Sequence, residues 1–406
     1  MDASVFATVT DILAAAGGPG SEMLPFLPRF AEVEGVVLTT IPVSGLDALA
    51  ERIHRDLRRC GGFVKHESLA EAREALARLA LPIPEFVLPF AIDQPGVVGP
   101  LVAAVDPATI LATVSSLSTS FANRYHAHAT GTNAANAIKA QWEGYAAGHP
   151  GVTVELYAHG GITPQPSVVL TIPGSTLPEQ IVVLGAHEDS IRSGCSTNAA
   201  CVAPGADDDA SGVATISEAL RVLLAAGFQP QRTLQFMAYA AEEVGLDGSD
   251  DIAADYFALG KQVVAVLQSD MTAYQGSSID VTIIQDNSYT NSDLSQFVGA
   301  LVDTYLPTLS RGTSSCGYAC SDHASWNVRG FPAAIAFEAP YPGSDNPFIH
   351  TSNDTVANFG GSAAHAAKFA KIAVAFAVEA SLDWTPDIFS DGFEEGDFDR
   401  WSSSVP

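Results

Sequence analysis

Five short segments of this chain carry the residue types that hydrolytic metal chemistry needs. The first, IVVLGAHEDS, is an apolar run ending in His187 and Asp189. Residues two apart on a strand share a side. His187 can therefore face a metal while Asp189 accepts the other ring N–H and fixes the tautomer. The second, APGADDDASG, places three carboxylates in a glycine-flanked loop ahead of a helix. Asp209 suits the helix cap. Asp207 is expected to be the metal ligand, bridging two ions with its two oxygens. The third, FMAYAAEEVGLDGS, sets Glu242 beside Glu243 directly after an apolar strand. Adjacent side chains point differently, so one can bind metal while the other serves as general base. The fourth, VVAVLQSDM, ends a strand in Asp270, and the fifth, PFIHTSNDT, offers His350 in a loop.

Each segment alone has a bland explanation. A strand-end His-x-Asp is often a structural hydrogen bond, a Glu pair is often a solvated helix start, and a lone His is usually structural. The set is more specific. One histidine, three carboxylates and a second histidine, each at a strand end or in a loop, are ligands suited to zinc. They divide into His187, Asp207 and Asp270 for one ion, and Asp207, Glu243 and His350 for the other. Two ions sharing one carboxylate would lie roughly 3.5–4 Å apart.

The elements that must position these residues alternate. Strand-like runs are SVVLTIPG, QIVVLGAH, TLQFMAYA, VVAVLQSDM and AAIAFEA, and helices include DPATILATVSSLS, GVATISEALRVLLAAG and SDLSQFVGALVDTYL. Near-continuous apolar strands between amphipathic helices predict an α/β fold, a mostly parallel twisted sheet with helices on both faces. Ligands in such sheets gather at the carboxyl ends of strands. This catalytic domain is expected over residues 106–383.

Residues 1–90 read as a separate small α+β domain. A strand over Val33–Val43 is followed by a helix with Leu46, Leu49, Ile53 and Leu57 on one face, then by FVKHES and a second helix, LAEAREALARLA. The unit is rich in Arg52, Arg55, Arg58, Arg59, Lys65, Arg73 and Arg78. A basic unit on an acidic body can dock electrostatically, and a pro-segment that blocks the site is the reading that follows. Residues 91–105, Pro/Gly-rich, read as a linker, and residues 384–406 as an acidic, aromatic tail.

The whole chain has 46 acidic against 19 basic residues among 406, a net charge of -27. That excludes nucleic acid and anionic membranes as natural partners and suits metal ions and protonated amines. No apolar run is long and uncharged enough to span a bilayer. Cys195 with Cys201, and Cys316 with Cys320, are close pairs that suggest two local disulfides and an oxidising, extracellular compartment, leaving Cys60 over. The chain begins Met1-Asp2 with nothing resembling a secretory leader. It is expected to act as a monomer on peptides with a free N-terminus.

The strings VAPGADDDASG, FMAYAAEEVGL, CGYACSDHASW and IHTSNDT resemble the secreted bacterial leucyl aminopeptidases with co-catalytic zinc. The resemblance covers about residues 106–383. It implies two zinc ions, with His187, Asp207, Glu243, Asp270 and His350 as ligands, Glu242 as general base and Asp189 as orienter of His187. It implies a cis peptide after Asp207 and a Cys316–Cys320 disulfide, with Tyr318 placed to hydrogen-bond the tetrahedral intermediate. It also implies an apolar pocket of Met271, Ile284, Ile335 and Phe337 for a Leu-like first side chain, and an N-terminal pro-segment acting as an intramolecular inhibitor. Cys195 and Cys201 lie outside the family pattern. The rival readings are a carboxypeptidase or aminoacylase of the same fold, which would need cations such as Arg192 or Arg329 for a substrate carboxylate, and a metal-free binding protein.

Overall fold

The computed structural model describes residues 4–10, 30–33, 36–42, 45–57, 63–66, 68–79, 88–286 and 288–383. Cys60 and the 384–406 tail lie outside these residues. The main body is built on an eight-stranded sheet. Its strands are β5 (Thr153–Tyr157), β6 (Ser167–Ile172), β7 (Leu177–His187), β8 (Arg232–Tyr239), β9 (Gln262–Ser269), β10 (Val281–Ile284), β11 (Arg311–Ser314) and β12 (Ala333–Phe337), in the order β11-β10-β12-β9-β7-β8-β6-β5. The central four, β12, β9, β7 and β8, are mutually parallel, and antiparallel pairings flank them at β10/β12, β8/β6 and β6/β5. The expected mostly parallel sheet is present, with its parallel character concentrated at the centre.

Alternation along the strands splits the core in two. Val182, Leu184, Ala186, Leu234, Phe236, Ala265 and Leu267 point to one face. There they meet α4 (Pro107–Ser120), α5 (Ala129–Ala146), α6 (Ala210–Ala225), α8 (Ser292–Tyr305) and α10 (Ala366–Ser381). Val183, Met237, Tyr239 and Val266 point to the other, against α7 (Asp247–Ala258) and α9 (His323–Asn327). Burial on both faces accounts for strands that are apolar nearly throughout. Helix α6 is buried around almost its whole circumference. Its Gly212 leaves room for the carbonyl of Ser269, where a Cβ would sit 2.1 Å from that oxygen. The amino end of α6 is thereby seated on the carboxyl end of β9.

The stretch expected to be a linker is part of this body. Pro95–Ala103 forms helix α3, and Val98 and Leu101 enter the main core. Leu88, Phe90 and Ile92 pack against the same core, with the Phe90 ring 4.9 Å from that of Phe297. Pro95 starts the helix rather than breaking it, because the first turn needs no N–H from it. The apolar residues between the prolines outweigh the turn signal.

The amino-terminal unit has a sheet of order β2-β3-β1-β4, from β1 (Ser4–Thr10), β2 (Ala31–Val33), β3 (Val36–Pro42) and β4 (Phe63–His66), all antiparallel. Helix α2 (Leu69–Leu79) packs Ala72 and Leu76 against Val36 and Leu38. Helix α1 (Leu46–Leu57) carries Leu46, Leu49, Ala50 and Ile53 into a second cluster with Ala240, Ala241 and Val244 of the body. The expected small α+β unit is therefore packed against the segment that follows β8.

Candidate active site

Parallel pairing brings the candidate residues to one edge. His187 ends β7 opposite Tyr239, the last residue of β8. Three residues beyond Tyr239 come Glu242 and Glu243, in a single 3-10 turn over Glu242–Val244. Asp270 follows the last residue of β9. His350 comes from the loop ahead of α10, and all of these side chains are buried.

Asp189 is the organiser at the β7 end. Its Oδ1 lies 3.3 Å from His187 Nδ1. Its carboxylate also accepts the backbone N–H groups of Glu242 at 3.0 Å and Glu243 at 3.2 Å. One side chain thus sets both the imidazole and the backbone of the Glu pair. His187 Nε2 then points to Asp208 Oδ1 at 3.0 Å and lies 3.7 Å from Asp270 Oδ1. His350 Nε2 is 3.1 Å from Asp208 Oδ2 and 3.1 Å from Glu243 Oε2.

The carboxylate that spans the two histidines is therefore that of Asp208, and the expectation for Asp207 is corrected by one residue. In the run Asp207-Asp208-Asp209 the outer two turn inward and the middle one faces the cleft. Asp207 accepts hydrogen bonds from the Ala273 N–H at 2.9 Å, the Ser211 hydroxyl at 3.1 Å and Asn346 Nδ2 at 2.9 Å. Asp209 caps α6 through the Gly212 N–H at 2.8 Å and also accepts from the Met271 N–H at 3.2 Å. Both outer residues thus grip the segment after β9. The non-proline cis peptide is correspondingly at Asp208–Asp209 rather than after Asp207.

Two groups of donors result, each with its ligand atoms within 4.8 Å of one another: His187, Asp208 and Asp270, and His54, Glu243 and His350. Electrostatics distinguish this edge from an ordinary polar cleft. Burial opposes a charge on either imidazole, yet carboxylates hold both pKa values up. His187 is raised well above its usual range by Asp270, Asp189 and Asp208. His350 reaches about 10 beside Glu243 and Asp208. Burial likewise opposes the Asp208 charge, and the two imidazoles hold that carboxyl well below its usual range. Glu243 is pushed up to about 7 by burial and by Asp208. Glu242 is raised well above the usual carboxylate range by burial, with Glu243, Asp322 and Asp270 adding and His187 opposing.

Both Glu242 oxygens, Glu243 Oε1 and Asp270 Oδ1 are buried without a hydrogen-bond partner. Buried carboxylates left this way are costly unless a cation meets them. Nitrogen and oxygen donors in groups of three fit zinc.

Backbone conformation marks the same place. Of the four non-glycine residues with positive φ among the described residues, Ala241 at 55° precedes Glu242, Met271 at 54° follows Asp270, and His350 itself is at 54°. Such conformations cost energy and gather at functional sites. A second layer that the sequence did not announce lies behind the cleft. Asp354 accepts the backbone N–H groups of Asp207 and Asp208, each at 3.0 Å to its nearer oxygen. Glu338 accepts those of Tyr274 at 2.7 Å and Asn346 at 2.9 Å.

Met271, Ile284, Ile335 and Phe337 form one apolar cluster beside Asp270, with Tyr341 and Ile349 packed on it. Tyr318 lines the adjoining pocket with Cys316 and Cys320. Its hydroxyl lies 3.3 Å from that of Tyr341. The disulfides Cys316–Cys320 and Cys195–Cys201 are both formed.

Residues 167–376 match the model of peptidase family M28. A probable leucine aminopeptidase of Arthroderma benhamiae is 40% identical over 311 residues, which are 76% of this chain and 82% of that protein. Among solved structures, the LapA aminopeptidase of Legionella pneumophila superposes with a TM-score of 0.78 at 29% identity, covering 95% of this chain and 100% of that one. LapB from the same organism gives 0.79 at 28% identity, covering 94% and 100%. The chain belongs to peptidase family M28, and within that family it is an aminopeptidase.

Proposed function

We propose that this metallo-aminopeptidase holds two zinc ions, one among His187, Asp208 and Asp270 and one among Asp208, Glu243 and His350. With them it hydrolyses the first peptide bond of peptides bearing a bulky apolar first residue. The observation that carries this reading is the Asp208 carboxylate lying between two imidazoles, with the unbonded carboxylate of Glu242 near His187, Glu243 and Asp270. Bound there, zinc would polarise the scissile carbonyl and acidify a water. Glu242 acts as the base. Its backbone is fixed by Asp189, its oxygens have no other partner, and its raised pKa suits taking a proton from the attacking water and returning it to the leaving amine. Tyr318 donates to the developing oxyanion. Met271, Ile284, Ile335 and Phe337 receive the first side chain, and Asp345, also lining that pocket, offers a carboxylate to the free α-amine.

A carboxypeptidase would need a free cation for the terminal carboxylate. Arg329 is engaged by Asp250 and lies 3.7 Å from Glu71. The disulfides support an extracellular location. The amino-terminal unit is read as a pro-segment that covers the site until it is removed.

The test compares leucine anilide with N-acetyl-leucine anilide. The zinc-loaded enzyme is expected to cleave the first and spare the second, and to lose activity to a strong chelator. Equal cleavage of the acetylated substrate, or activity indifferent to chelation, would contradict the reading.

A further inference from the structure

The second donor group contains a residue from outside the catalytic body. His54 lies on α1 of the amino-terminal unit, 2% exposed, with Nε2 3.4 Å from Glu243 Oε2. Its ring stands edge-on to that of His350 with centroids 4.5 Å apart. Nε2 is buried and has no hydrogen-bond partner. Two imidazole nitrogens and a carboxylate oxygen therefore converge within 4.8 Å of one another, as ligands do around a metal.

The surroundings hold His54 in that place. Leu46, Leu49 and Ile53 of α1 pack on Ala240, Ala241 and Val244, the residues that flank the Glu pair. Phe63 of β4 lies against Gly245, where a Cβ would come within 2.5 Å of the ring. Lys65 pairs with Asp247, and Glu51 accepts the backbone N–H of Gly194. The unit thus clamps the Glu242–Asp247 segment at several points. His54 also forms part of the wall of a ≈ 540 Å³ cavity shared with Ser193, Phe348, Ile349, His350 and Thr351. It thus touches both that cavity and Glu243.

We infer that His54 is a removable ligand of the zinc position formed by Glu243 and His350, filling the coordination place that substrate needs and thereby keeping the intact chain latent. A catalytic zinc works through an open position, and an imidazole there closes it. Withdrawal of the amino-terminal unit takes the ligand away and opens the position. The inference rests on the paired-zinc reading above, and the two can fail separately.

The test is X-ray absorption at the zinc edge on the intact full chain, its length verified by mass spectrometry, loaded with zinc alone. The expected result is three imidazoles shared by two zinc ions in the wild type. His54→Phe keeps the ring volume against His350, and His54→Gln keeps a polar side chain. Both should show two imidazoles for two ions, lose one ion to chelator faster by about tenfold or more, and raise the activity of the uncut chain. Two imidazoles for two ions in the wild type would overturn the His54 assignment and leave the paired site standing. A wild-type chain that takes up no zinc would overturn the paired site itself. Because the wild-type spectrum decides the question, it stands even if a variant folds poorly.

Discussion

Glu242→Gln separates the base from everything around it. The substitution keeps shape and volume. The backbone of residue 242 stays anchored because its N–H is held by Asp189 Oδ1 at 3.0 Å and not by its own side chain. Neither carboxylate oxygen makes a hydrogen bond, so none is lost. The variant also removes a buried acid whose ionisation is opposed by burial and by Glu243. Its melting temperature should therefore equal or exceed that of the wild type, and zinc content should be unchanged. A positioned general base contributes about 10²–10⁴ in rate, or roughly 3–5 kcal/mol of barrier. The assay is leucine anilide hydrolysis by wild type and variant chains processed identically. The expected signature is kcat reduced by about 10²–10⁴ with KM little changed, since the interaction operates only in the transition state. A variant that keeps kcat within about tenfold of wild type would refute the assignment of Glu242 as base. A comparable loss accompanied by loss of zinc would show that residue 242 acts as a ligand.

Neighbouring aspartates should behave differently. Asp208→Asn should cut zinc content by elemental analysis. Asp207→Ala should act mainly on stability, since it strands the Ala273 N–H at about 1–3 kcal/mol and leaves Asn346 Nδ2 with only its bond to Asp354; equal zinc loss in both would count against the assignment of the bridge. Stripped of metal, the chain should lose stability with rising pH. Glu243 is raised from 4.5 to about 7, so its contribution is fully present below 4.5 and gone once pH passes through 7. That of His350, raised from 6.5 to about 10, is present below 6.5 and lost as pH passes through 10. Thermal melts after chelation between pH 7 and pH 10, above the range in which the buried His54, His323 and His365 act in the opposite sense, would check this trend, and a rise in stability across that range would oppose it. Phe337→Ala should widen the pocket and shift the preference from leucine toward phenylalanine anilide by about tenfold, and an unchanged ratio would remove Phe337 from the pocket.

The catalytic body was largely legible because its chemistry follows from its burial. β7, β8 and β9 are covered on both faces, so they read as apolar runs, and the polar residue that ends each one stands out. His187, Asp270 and the Glu pair were visible for that reason. Asp208 was not, because three consecutive aspartates look alike until side-chain direction is known. The available signal was alternation: once Asp209 is the helix cap, Asp207 shares its side and Asp208 takes the other. The short outer strands β5, β10 and β11 have four or five residues each, too few to establish a period. Helix α3 was hidden by its two prolines, although Val98 and Leu101 bury it. His54 looked like one polar residue on an amphipathic helix. Its contact with Glu243 spans most of the distance between an amino-terminal unit and a strand end, and such pairings leave no local pattern.

The central claim is a pair of cations held on either side of one carboxylate. Anomalous diffraction at the zinc edge, from crystals of the full chain grown with zinc, addresses it most directly. The account predicts two peaks flanking Asp208, one beside His187 and Asp270 and the other beside Glu243 and His350. A single peak, or zinc bound away from Asp208, would contradict it.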